Sequence, residues 1–93
     1  MNIKEEIKKY KELEKISDMW DLKLEETIET DKYTITEAEK IEEEFDQAYE
    51  NYFNQRMVII NIIIKYTNVE LSIANAMLSN KKDYTLELLS KLQ

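Results

Sequence analysis

Glycine and proline are both missing from this chain of 93 residues, and that absence narrows the available folds more than any other feature. Tight hairpins need backbone at positive φ, which glycine adopts at little cost, and loops and edge strands often carry proline. A β-protein of this length without either residue would be very unusual. Helices joined by polar links are the economical alternative. The expectation is therefore an all-α chain forming one helical-bundle domain over residues 1–93.

Hydrophobic spacing agrees. Ile3, Ile7, Tyr10, Leu13, Ile16, Trp20, Leu24 and Ile28 recur at steps of three or four, which predicts a first helix over about 2–30. A β-branched, polar stretch over Lys32–Thr36 then reads as an extended link. Two overlapping capping boxes follow, Thr34 with Glu37 and Thr36 with Glu39, with Thr36 the favoured cap. A second helix over about 37–66 keeps its spacing through Ile41, Phe45, Ala48, Tyr49, Tyr52, Phe53, Met57, Ile60, Ile63 and Tyr66, and its Met57–Ile64 part is apolar nearly all round. A third box, Thr67 with Glu70, is flanked by Tyr66 and Leu71 at the staple positions. It opens a third helix over about 68–91, with Leu71, Ala74, Met77, Leu78, Tyr84, Leu88 and Leu92 inward. The polar run at 79–83 weakens this helix, so a kink or break there, with a short fourth helix from Tyr84, is the alternative. Short links make successive helices antiparallel, giving an antiparallel three-helix bundle.

The residues that are absent exclude much chemistry. Without cysteine there are no disulfides, thiolate sites or thiol nucleophiles, and without histidine the commonest general base and metal ligand are gone. Glu39, Glu42, Glu43 and Asp46 stand at helical spacing, but bundle-core di-metal sites also use Glu-x-x-His, and these acids fall opposite the apolar stripe. A calcium loop fails because Tyr33 and Ile35 occupy ligand positions after Asp31. No metal and no cofactor are expected. Small helical chorismate mutases hold a dianionic substrate with several arginines and lysines. With Arg56 its single arginine, this chain is similar to them only in size and helix count. No enzyme activity is expected. Lys4, Lys8, Lys11 and Lys15 line one side of the first helix, yet residues 1–24 hold six acids and six bases, so direct nucleic-acid binding is not expected either. Met57–Ile64 is too short to cross a membrane, and Met1–Lys9 is charged rather than an apolar leader core. Lysine outnumbers arginine twelve to one, a bias of AT-rich genomes. The expected location is the cytoplasm of a low-GC bacterium, or of the host if the chain is phage-encoded.

Charge carries the functional expectation. The net charge is −7, but residues 25–50 alone are −9, with eleven acids against Lys32 and Lys40. In an antiparallel bundle this segment folds back on itself and forms an acidic pole. Glu37 and Glu39 suit a helix N-terminus, whereas Glu25, Glu26 and Glu29 crowd the C-terminus of the first helix, against its dipole. Acids placed against a local rule point to function. The expectation is a non-enzymatic module that docks Glu25, Glu26, Glu29, Asp31, Glu37, Glu39, Glu42, Glu43, Asp46 and Glu50 on a basic, nucleic-acid-binding protein. In size and charge the chain resembles small acidic phage proteins that block host nucleases and restriction systems. That resemblance implies an inhibitor from a phage or mobile element, with some character of a nucleic-acid mimic. The rival is a homo-oligomer packed through Met57, Ile59, Ile60, Ile62, Ile63 and Ile64, on the ground that so short a chain buries only two faces of a central helix. A second rival, a small enzyme, requires a polar cavity between helices.

Overall fold

The structure, a computed structural model, describes residues 2–80 and 85–91. These residues form four helices, α1 (Ile3–Glu29), α2 (Ile35–Thr67), α3 (Leu71–Ser79) and α4 (Thr85–Ser90), with no strand among them. The all-helical expectation holds. The Asn2 side chain caps α1 by accepting from the Glu5 N–H at 3.2 Å. α2 opens on Thr34 rather than the favoured Thr36. The Thr34 hydroxyl accepts from the Glu37 N–H at 3.1 Å, and the Glu37 carboxylate accepts from the Thr34 N–H at 3.2 Å. Both halves of that box close, so Ile35 and Thr36 lie inside the helix.

α1 and α2 form a long antiparallel hairpin: Glu6 meets Gln55, Tyr10 meets Tyr52, and Trp20 shares a groove with Ile41. At the far end of α2 the third capping box does not form. Asn68 instead adopts the left-handed conformation (φ 55°, ψ 37°) and its N–H bonds the Ile64 carbonyl, while the Thr67 hydroxyl bonds the Ile63 carbonyl. In a chain without glycine, asparagine is the residue that tolerates this C-terminal geometry best. Glu70 precedes α3 without a side-chain cap, and the supposed staple pair Tyr66 and Leu71 is exposed. The chain bends by 114° between α2 and α3, short of a full reversal.

The third long helix is thus replaced by two short ones. α3 ends at Ser79, within the stretch where a break was expected; residues 81–84, including Tyr84, and Leu92 lie outside the described residues. With nine residues α3 is about 13 Å long, against about 40 Å for the 27-residue α1, so it covers only part of the hairpin. Ile3, Ile7 and Tyr10 of α1 pack with Ile59, Ile60, Ile62 and Ile63 of α2, Ala74 of α3 and Leu89 of α4. This is the base of the molecule. Leu89 is buried and the expected Leu88 is exposed, a shift of one residue after the break. The isoleucine run is covered within one chain, because buried residues of α1, α3 and α4 join it in one core cluster. The reason for assigning Met57, Ile59, Ile60, Ile62, Ile63 and Ile64 to a contact between copies therefore does not hold. Met57 and Ile64 are half-buried and the other four are buried.

Beyond the base, the hairpin continues alone as an arm, and the molecule measures 48 × 22 × 19 Å. Several side chains expected inward are exposed along this arm, including Ile16 and, at 80%, Ile28; Ile35 at the start of α2 is 81% exposed. With no third layer, each arm helix buries only the strip facing its partner. Among the described residues no single helix is long and apolar enough to cross a membrane.

Candidate protein-binding surface

The ten acidic residues expected to form a pole all lie on the arm, and all are exposed. Glu25, Glu26 and Glu29 occupy the end of α1, where the last turn carries no basic residue. Asp31 lies in the link, and Glu37, Glu39, Glu42, Glu43, Asp46 and Glu50 follow along α2. Two of them have structural duties. Glu37 closes the α2 cap, and Glu26 accepts from the Tyr33 hydroxyl at 2.9 Å, a hydrogen bond that holds the proton on Tyr33 and raises its pKa. The ion pair seen among the described residues, Glu87 with Lys91, is on α4. The acids of the arm are thus held without partner cations, at a free end.

One side of the arm carries a groove of about 310 Å³ lined by Glu14, Ser17, Asp18 and Asp21 of α1 and Phe45, Tyr49 and Tyr52 of α2. Its two walls differ in chemistry. At about 100° per residue, Glu14, Asp18 and Asp21 fall on one flank of α1 beside the strip that meets α2. Phe45, Tyr49 and Tyr52 fall on the facing flank of α2, with ring centroids 6.0 Å apart for Phe45–Tyr49 and 6.1 Å for Tyr49–Tyr52. Phe53 extends the row, stacked 6.4 Å from Tyr49. Trp20 does not join this row. That residue lines a separate groove with Glu37, Lys40, Ile41 and Glu44, and Lys23 sits 4.7 Å over its ring.

Where the arm meets the base, Arg56 organises a polar cluster. Its Nη1 donates to the hydroxyls of Tyr10 (3.0 Å) and Tyr52 (3.3 Å), and its Nη2 to the Asn75 side chain (2.8 Å) and the Ser79 hydroxyl (2.6 Å). The Tyr10 hydroxyl donates to Glu14 at 3.3 Å. Burial, and then the neighbouring Tyr52 hydroxyl, push the Tyr10 pKa far above the ordinary tyrosine value. Tyr10 therefore stays a neutral donor and cannot serve as a base near neutral pH. An adjoining cleft of about 630 Å³ opens between these residues and Met77, Leu86 and Glu87. Both terminal nitrogens of the guanidinium donate to neutral oxygens, and through them the cluster ties α1, α2 and α3 together. Among the described residues no three acidic side chains converge to hold a metal ion.

Segment-wise charge concealed the α1 wall. Residues 1–24 sum to zero, yet on the helix the acids Glu14, Asp18 and Asp21 face the groove while Lys4, Lys8, Lys11 and Lys15 line another. Counting charge by helical face would have found them. Ser17, Gln55 and Thr85 are buried polar residues that hydropathy alone could not mark. Gln55 bonds the Glu6 carboxylate at 2.6 Å. No protein-family model matches the chain, and neither does any curated protein or solved structure.

Proposed function

We propose that this chain is a non-enzymatic, acidic protein-binding module whose arm docks on a basic, nucleic-acid-binding protein in the cytoplasm. In this reading it serves as an inhibitor encoded by a phage or mobile element. The observation that carries the reading is the −9 segment of residues 25–50, all of whose acids are exposed on a hairpin that extends beyond the packed base. Charge held this way at a free end raises association rates and selects for complementary partners, with a strong dependence on salt. Several acids also stand against the α1 dipole, a placement that solubility alone does not require. A single stripe on α2, with steps of about 6 Å per turn, matches duplex phosphate spacing poorly, so both helices of the arm contribute.

The test is charge reversal of Glu39, Glu43, Asp46 and Glu50 to lysine. The wild type should capture basic proteins from a host lysate in a salt-sensitive way, and the reversed variant should lose them. Recovery of the same partners with unchanged salt sensitivity would remove the arm from the binding site. The homo-oligomer reading has less support, since its proposed contact residues are taken up by the core.

A further inference from the structure

The groove on the arm pairs an acidic wall with an aromatic one, and that combination has a specific chemical complement. A guanidinium is planar, stacks on aromatic faces and pairs with carboxylates through a fixed fork of donors. Tyr49 and Phe53 are 49% and 47% exposed, large aromatic surfaces for a chain that has other faces on which to bury them. Asp18 and Asp21 across the groove are exposed and have no ion pair or hydrogen bond among the described residues. No lysine or arginine lines the groove.

A second observation comes from its floor. Ser17 is 6% exposed, lines the groove, and has no hydrogen-bond partner among the described residues. Because no buried side-chain oxygen or nitrogen among the described residues lacks a partner, the unbonded Ser17 hydroxyl keeps its access to solvent through the groove that it lines. It stands on the strip of α1 where its neighbours at helical spacing, Leu13 and Trp20, are apolar. A hydroxyl there, open to the groove, can exchange water for a donor that enters it.

We propose that this groove receives an arginine side chain presented by the partner protein. The guanidinium stacks on Tyr49, pairs with Asp18 and Asp21, and donates to the Ser17 hydroxyl. A second copy of this chain is a poor occupant, since each arm carries −9 within residues 25–50 and two such arms repel. A volume of about 310 Å³ lies at the lower limit of small-ligand pockets and suits one anchoring side chain. The inference rests on the proposed acidic docking function and adds where, and by what chemistry, the partner is anchored.

The experiment is calorimetric titration of the full chain with two synthetic helical peptides, identical except that one carries arginine where the other carries lysine. The arginine peptide should bind at least about threefold tighter, the margin that stacking on Tyr49 adds over charge alone. Tyr49→Ala, and separately Asp18→Asn with Asp21→Asn, should each weaken it about tenfold, and Ser17→Ala about threefold. The control Glu39→Gln with Glu43→Gln removes the same charge from the docking arm but outside the groove, and should weaken it by about threefold, a smaller loss than that of the groove pair. Circular dichroism melts confirm that each variant is folded, and all the substituted residues except Ser17 are exposed. Equal losses for groove and control variants would overturn the groove while leaving the acidic arm as the docking surface. Equal affinity for both peptides would overturn the stacking on Tyr49. Absence of binding to either peptide would overturn the arginine site, with the lysate capture judging the arm independently.

Discussion

Arg56 shows how one residue can be noted for its scarcity and still be missed for what it holds together. As the single arginine it argued against an anion-binding enzyme site, yet spacing gave no hint that it gathers Tyr10, Tyr52, Asn75 and Ser79. These partners are up to 46 positions away in the chain, and only the hairpin and the bend after α2 bring them together. Lysine cannot reproduce a planar fork that serves two helices at once. Arg56→Lys should therefore lower stability by about 2 kcal/mol in urea unfolding. Tyr10 adds a pH signature. Its folded pKa lies above that of the unfolded chain, so the folded state holds the proton more tightly. The associated stability is complete below pH 10.0, the ordinary tyrosine value, and declines as pH rises above it. Tyr10→Phe should flatten that alkaline decline in pH-dependent thermal melts.

At the scale of elements, the helices themselves were legible and their ends were not. Predicted spans of 2–30 and 37–66 became Ile3–Glu29 and Ile35–Thr67, because long apolar periodicity survives small shifts at the ends. Overlapping boxes cannot be ranked by pattern. Thr34 prevails because its own side chain and that of Glu37 close both bonds. Thr34→Ala should cost about 1 kcal/mol and Thr36→Ala less than about 0.5 kcal/mol, a difference that thermal melts resolve. The third box failed for a related reason. α2 needed a left-handed residue to end on, and Asn68 supplied it before it could begin another helix. A capping pattern predicts a helix start only where the preceding helix has already been terminated by other residues.

On the scale of the whole molecule, the packed base and the exposed arm differ in how much of each helix is covered. The isoleucines of α2 are enclosed by α1, α3 and α4, while the acidic half of α2 is covered by α1 alone. Burial of that kind sets local stability, since segments with few apolar contacts open more readily. Amide hydrogen exchange should be slowest around Ile59–Ile63 and markedly faster over 36–47, whose residues are exposed or half-buried. Uniform protection along α2 would contradict the division. The same arrangement keeps the aromatic row and the carboxylates accessible together. In a complete three-helix bundle a third long helix could have covered the groove.

The amino-acid sequence alone determined that the chain is helical, because it lacks glycine and proline and repeats its apolar residues at helical steps. It also determined where the negative charge lies along the chain and that cysteine and histidine are missing. Tertiary structure decided the rest. It shortened the third layer into α3 and α4, took the isoleucine run into the core of one chain, and left the arm uncovered. It also sorted the charges of α1 by face, setting Asp18 and Asp21 across from Tyr49 in the same groove. The physical reason is range. Helix propensity and capping act within a few residues, whereas burial and the meeting of two walls depend on neighbours that only the folded chain supplies.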